Sequence, residues 1–306
     1  MKELTKKISK KELEYDTASR LYKRKNLKSK KFLAVFDGLK FSTSTMEYAI
    51  ELTRQSNAFL VGIFLDDFIY RSYSVSKIIS SYNNDEEIIK ELDQKDQLQR
   101  DEAVKLFEQA CGKAGIAYSF HRNKGIAINE LKEESIFADL IIINDSETFN
   151  RFAEYPPTRF IRELLADVQC PVLIVPDIYK PIDKVTFLYD GGPSSVFAIK
   201  MYSYLFGDLD ASVEIFTVKD KMVGSHLPNN HLMREFIKRH FPKAGYIVVK
   251  GSAEEEIPGH LRYHKGNELV VLGAYRRSEI SRWFKTSMAD ILMKELETPL
   301  FIAHNK

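Results

Sequence analysis

The stretch "FLAVFDGLKFS" (32–42) returns later in the chain as "VTFLYDGGPSS" (185–195). In both, a mostly apolar run ends in Asp-Gly, and a serine follows four residues beyond that glycine. A second pair, "FLVGIFLDD" (59–67) and "SVEIFTVKD" (212–220), keeps the same spacing: Asp190 follows Asp37 by 153 residues, and Asp220 follows Asp67 by 153. Late in each half stand "ADLIIIN" (138–144) with "NELVVLG" (267–273), then "CPVLIVP" (170–176) with "TPLFIAH" (298–304). The late pairs are closer, Gly273 following Asn144 by 129 residues. The first half therefore holds about two dozen extra residues between its second and fourth apolar runs. A chain that repeats itself at this scale builds one structural unit twice.

Each copy alternates short apolar runs with amphipathic stretches. Strands are predicted near 32–37, 59–65, 117–122, 139–143 and 171–175, and again near 185–189, 212–218, 246–250, 268–272 and 299–303. Continuous runs such as "LIII" (140–143) suit strands buried on both faces. Between them, "STMEYAIELTRQ" (44–55) reads as a helix with a capping box from Ser44 to Glu47 and apolar spacing at Met46, Ala49 and Ile50. "SSVFAIKMYSYLFG" (194–207) is its counterpart. Such alternation implies right-handed crossovers and a parallel sheet covered by helices on both faces. The fold class expected is α/β, with two tandem doubly wound domains.

Their expected limits are 31–178, with an insertion near 68–95, and 179–306, after a basic extension over 1–30. The insertion opens as a Tyr- and Ser-rich loop, expected to be a surface loop rather than a lid. It continues as a charged helix rich in i,i+4 pairs of opposite sign.

At 306 residues the chain can bury two cores, and 44% hydrophobic with 29% charged residues is a globular composition. The longest apolar runs are far too short to cross a bilayer, and no secretory signal stands behind the lysine-rich start. Two cysteines, Cys111 and Cys170, make no disulfide framework, so a cytoplasmic location is expected. Residues 1–31 carry twelve Lys/Arg against four Asp/Glu. That arm is expected to be a solvated, partly helical tail, and neither nucleic acid nor membrane is an expected partner.

In open α/β sheets, ligands bind beyond the carboxyl ends of the strands, where strand order reverses. The first strand of each copy ends there in Asp37-Gly38 or Asp190-Gly191-Gly192. An acid so placed can accept a bond from a ribose hydroxyl or an adenine amino group; it can equally cap the next helix. After the fourth strand of the second copy come Gly273 and a loop with Arg276, Arg277 and Arg282, leading to Thr286-Ser287 at a helix start. Amide groups at a helix start, with the helix dipole, form an anion site. The matching stretch of the first copy, "NDSETFNRFAEYPPTRF" (144–160), has no glycine, and Asp145, Glu147 and Glu154 would repel phosphate.

With these residues in place, 31–306 resembles the universal stress protein family in its tandem two-domain form. The shared features are Asp-Gly after strand one in both halves, Val218 near the end of strand two, and the tail "LVVLGAYRRSEISRWFKTSMADILMKELETPLFIA". ATP-binding members carry G-x2-G-x9-G-[ST] in that tail. Here Gly273 matches the first glycine and Ser287 the final Ser/Thr, while Arg276 and Thr286 replace the second and third glycines. The resemblance implies a flavodoxin-like (adenine nucleotide alpha hydrolase-like) fold, with the last strands of the two copies meeting. It places ribose and adenine contacts at Asp190, Gly191 and Val218, and phosphate contacts at Gly273, Arg276, Arg277, Thr286 and Ser287. Asp37, Gly38, Leu65, Asn144 and Thr158 are the counterparts in a degenerate first site. Glycines permit positive φ and close approach of backbone to ligand; β-branched Thr286 and bulky Arg276 oppose both, although arginine forks suit phosphate.

The function expected is a non-catalytic, stress-response protein binding ATP or AMP in its second half. The duplicated chain would form its own pseudo-dimer, with a further protein partner unidentified. Two alternatives stay open. "DGGPSS" (190–195) is similar to the S-G-G-x-D-S loop of ATP pyrophosphatases, with Asp190 in its first serine position, which would make the chain a nucleotide-hydrolysing enzyme. A nucleotide-free interaction module is the other. His260 and His264 lie four apart near Glu256, but without a firm third ligand they read as surface residues, and no metal is predicted. Cys170 reads as a small core residue, and Tyr275, Trp283 and Phe284 as packing groups.

Overall fold

The structure is a computed structural model that describes residues 29–67, 70–75, 78, 85–207, 210–219, 224, 226–263, 266–273 and 287–303. Among the described residues the first half contains β1 (Lys31–Phe36), α1 (Thr43–Ser56), β2 (Phe59–Asp67), α2 (Asp85–Ala114), β3 (Tyr118–Gly125), α3 (Ala127–Ser135), β4 (Leu140–Asn144), α4 (Arg159–Asp167) and β5 (Val172–Val175). The second half contains β6 (Lys184–Leu188), α5 (Pro193–Phe206), β7 (Ser212–Lys219), α6 (Asn230–His240), β8 (Gly245–Lys250), α7 (Ala253–Arg262), β9 (Glu268–Leu272), α8 (Met288–Glu295) and β10 (Leu300–Ile302). Every strand falls where its apolar run stands, and β4, β5 and β9 are buried along their whole length.

The ten strands form one sheet in the order β3-β2-β1-β4-β5-β10-β9-β6-β7-β8. Each half has the order 3-2-1-4-5, all parallel, and the halves join where β10 pairs antiparallel with β5, Phe301 opposite Leu173. Helices α1, α2, α5 and α6 contribute to the core cluster on one face, built around Phe32, Phe36, Phe107, Phe187, Tyr202 and Phe301. Helices α3, α4, α7 and α8 contribute to the cluster on the other, around Val35, Ile141, Leu164, Val270 and Leu292. Alternate residues of each strand feed opposite faces, as the pleat requires. The fold is therefore the doubly wound α/β arrangement, made twice.

Two local readings need correction. Helix α1 is capped by Ser42, whose side chain accepts from the Thr45 amide at 3.1 Å, so the capping box from Ser44 to Glu47 does not form. Ser44, the second residue of the helix, is buried and donates instead to the Pro176 carbonyl at 2.6 Å. Strand β3 runs on to Gly125, pairing with Asp67, through polar residues that the apolar pattern does not extend to. At this sheet edge the hydrogen-bond ladder, not burial, sets the strand length. The helical part of the insertion is α2, thirty residues against eleven in its counterpart α6.

Candidate functional site

The carboxyl ends of β6, β7 and β9 lie along one edge of the sheet, with β6 between its neighbours β7 and β9. This is the reversal point at which such sheets accept ligands. Beyond β6, Asp190 is exposed and uses one oxygen to shape its own turn. Its Oδ1 accepts from the Gly192 amide at 2.7 Å and stands 2.7 Å from the Ser195 hydroxyl. Gly191 has φ +86°, a left-handed conformation in which a side chain is strained, and a Cβ there would come within 2.5 Å of Pro228. Pro193 then opens α5, where its fixed φ suits the first turn.

Gly273 ends β9 against the start of α5. A Cβ at Gly273 would meet the Ser194 backbone at 2.4 Å, so only glycine allows β9 and α5 this approach. The structure thus brings Asp190, Gly191 and Gly273 to one spot. Val218 is half-buried near the end of the adjacent β7, and Ser287 is the N-cap of α8 without a side-chain cap bond. Arg276, Arg277 and Thr286 lie outside the described residues, as do Tyr275, Arg282, Trp283, Phe284 and the first twenty-eight residues.

The first copy repeats the turn and closes over it. Asp37 Oδ1 accepts from the Leu39 amide at 2.8 Å, the same two-residue bond that Asp190 makes to Gly192. Yet Asp37 is 1% exposed. Tyr70, from the insertion, and Arg100, from α2, cover it. A Cβ on Gly38 would come within 2.9 Å of Arg100 Cγ. Arg100 also donates to the Tyr70 carbonyl at 3.0 Å, and Gln99 to the Leu39 carbonyl at 2.8 Å. Burial raises the pKa of Asp37 and, more strongly, that of Tyr70. Leu65, opposite number of Val218, is itself buried.

The loop after β4 packs beside this turn, with Lys40 donating to the Thr148 hydroxyl at 3.4 Å. Glu147 is buried, and burial followed by the charge of Asp37 holds its carboxyl well above the usual range. Phe149 packs on Phe160 with ring centroids 4.4 Å apart. Asn144, in the position of Gly273, accepts from the Ser146 amide at 2.9 Å and donates to Asp177 at 3.1 Å. Thr158, in the position of Ser287, caps α4 by accepting from the Ile161 amide at 3.2 Å and donates to the Glu147 carbonyl at 2.6 Å. Both serve the fold. Asp145, just after Asn144, has its carboxyl pushed up to about 7 by burial and by the charges of Asp177 and Glu297.

Sequence reasoning missed Tyr70 and Arg100 as the groups that close this edge. Tyr70 belongs to the insertion, where no second copy gives a register, and Arg100 lies on a helix far longer than its counterpart. Cys111 is a buried free thiol, pushed up to about 12 by burial, and Cys170 is half-buried.

Fold and site together define a tandem, doubly wound α/β protein in which the aspartate after the first strand is exposed in the second copy and buried in the first. No protein-family model matches the chain, and no curated protein matches it in sequence. Among solved structures it is similar to a universal stress protein from Archaeoglobus fulgidus, with a TM-score of 0.65, 15% identity, and 92% of this chain and 100% of that one covered. It is also similar to a putative universal stress protein from Pseudomonas aeruginosa, at TM-score 0.56 and 14% identity over 90% of this chain and 92% of that one. These likenesses establish the fold of universal stress proteins. Among the described residues, no helix is long and apolar enough to cross a membrane.

Proposed function

We propose that the chain is a tandem universal stress protein, with a first domain over 31–178 and a second over 179–306. In this reading the second domain binds an adenine nucleotide, AMP or ATP, at the carboxyl edge of β6, β7 and β9. Asp190 accepts from the ribose, Val218 borders the adenine, and the start of α8 at Ser287 faces phosphate. The loop arginines Arg276 and Arg277 supply charge in place of the missing glycines. The first domain is a structural partner, its edge occupied by Tyr70, Arg100 and Glu147. The protein acts as a non-catalytic, nucleotide-responsive module.

One observation carries this reading. Asp190 and Asp37 make the same backbone bond at equivalent turns, but Asp190 is exposed and Asp37 is covered by its own chain. Mass spectrometry of small molecules released from the denatured full chain, with thermal-shift titration of AMP and ATP, tests it. Bound adenylate, or a shift that Asp190→Ala removes and Asp37→Ala leaves, supports the reading. No released nucleotide and no shift sinks it. Consumption of Mg·ATP that Asp190→Ala abolishes would replace it with the enzymatic alternative.

A further inference from the structure

The opposite, amino edge of the second half carries a compact polar cluster on the sheet face covered by α7. Lys184 opens β6, Glu268 opens β9 beside it, and Glu214 lies on β7 opposite Thr186. His260, on α7, reaches down to this patch. Its Nε2 lies 2.7 Å from Glu214 Oε1, and its ring stacks on Phe216 at 4.2 Å and 23°. One ligand atom each from Glu214, His260 and Glu268 can be chosen so that all lie within 4.8 Å of one another. The Lys184 ammonium stands 3.1 Å from both Glu214 Oε1 and Glu268 Oε1.

Two features go beyond an ordinary ion pair. Among the described residues, the two carboxylates of Glu214 and Glu268 share the one ammonium of Lys184. Glu268 is also 4% exposed, and its Oε2 has no hydrogen-bond partner among the described residues, although a buried carboxylate oxygen without one is costly. The Thr186 hydroxyl holds the other oxygen, Oε1, in place. A carboxylate fixed by a neighbouring hydroxyl and an imidazole fixed by stacking are what an ion needs from its ligands.

We propose that Glu214, His260 and Glu268 bind one divalent transition ion of the zinc class, and that Lys184 is its stand-in cation. One imidazole and two carboxylates suit zinc, with water in a fourth position; the set has too few oxygens for calcium and includes a nitrogen that magnesium does not favour. A double charge neutralises both carboxylates, which the lysine alone does not. Lys184 has a flexible four-carbon stem and leaves for solvent when the ion enters. The bound ion ties α7 to β7 and β9. The site is at the other end of the strands from the nucleotide edge and does not depend on it.

The test is titration of the full chain with Zn2+ by calorimetry, and with Co2+ by visible absorption. Lys184→Met removes the competing cation and is expected to bind one ion per chain more tightly than the wild type, by about tenfold or more. His260→Gln and Glu268→Gln are expected to lose at least the roughly 10–100-fold that accompanies removal of an outer-shell partner. The Co2+ spectrum should vanish with His260→Gln. Binding that His260→Gln leaves intact belongs to other histidines and overturns the site. So does a Lys184→Met protein that folds and binds no tighter than wild type. Should Lys184→Met not fold, wild type against His260→Gln decides, because His260 is a partly exposed helix residue whose core contact is limited to the stacking on Phe216.

Discussion

Arg100 Nε stands 3.1 Å from Asp66 Oδ1, joining the middle of helix α2 to the carboxyl end of β2. Arg122 of β3 approaches the other oxygen of the same acid at 2.9 Å. One buried carboxylate thus clamps α2 over the carboxyl edge of the first half. Removing Arg100 takes away one of two cationic partners and uncovers Gly38. Arg100→Ala is expected to cost about 2 kcal/mol, less than complete loss of a buried pair because Arg122 remains. Chemical denaturation of the full chain measures it; a change within about 0.5 kcal/mol, as at an ordinary surface position, shows that no clamp exists.

Gly273 has no room for a methyl group, since the Ser194 backbone already stands 2.4 Å from where its Cβ would be. Gly273→Ala must push β9 and α5 apart. A loss of about 1–3 kcal/mol is expected, the range of overpacked cores. Asn144, at the matching place in the first half, accommodates a full side chain, so Asn144→Gly should cost lost hydrogen bonds rather than relieve strain. Thermal denaturation of the two variants compares them.

Asp145 gives the chain a pH dependence of defined sign. Its carboxyl is raised from 3.8 to about 7, by burial first and then by Asp177 and Glu297. Below pH 3.8 both folded and unfolded chains hold the proton. Between there and about 7 the folded chain keeps it while the unfolded chain has released it. Stability contributed by this group therefore falls as pH rises through that window, and the penalty is complete above it. Asp145→Asn should melt close to wild type at pH ~4 and above it at pH ~8. An advantage that is equal at both pH values would place the effect elsewhere.

Phe301 on β10 is fully buried at the seam of the two half-sheets, with Tyr202 at 5.6 Å and Phe206 at 6.1 Å, both T-shaped. Phe301→Ala should cost about 3–5 kcal/mol. Because β10 pairs with β5 of the first half as well as β9 of the second, both halves should melt in one transition that shifts as a unit. Two transitions, only one of them shifted, would show that the seam does not couple them.

Much of this molecule is legible in the chain alone. The runs around Ile142, Leu173, Val271 and Phe301 are buried on both faces, so composition marks them as strands without reference to anything distant. The tandem spacing then supplies the topology twice. Asp37 and Asp190 stand at matching turns for the same local reason: an aspartate beside glycine bonds the amide two residues on. Features that depend only on neighbours along the chain were determined by the sequence itself.

The difference between the two copies arises elsewhere. Tyr70 and Arg100 come to rest over Asp37 through contacts across thirty and sixty residues, and nothing in their own neighbourhood indicates which way they point. His260 is paired in sequence with Glu256 and His264, yet its partners, Glu214 and Glu268, arrive on separate strands that only the assembled sheet sets side by side. Tertiary structure decided which aspartate is covered and where charges meet, because burial and Coulomb attraction act through space while periodicity acts along the chain.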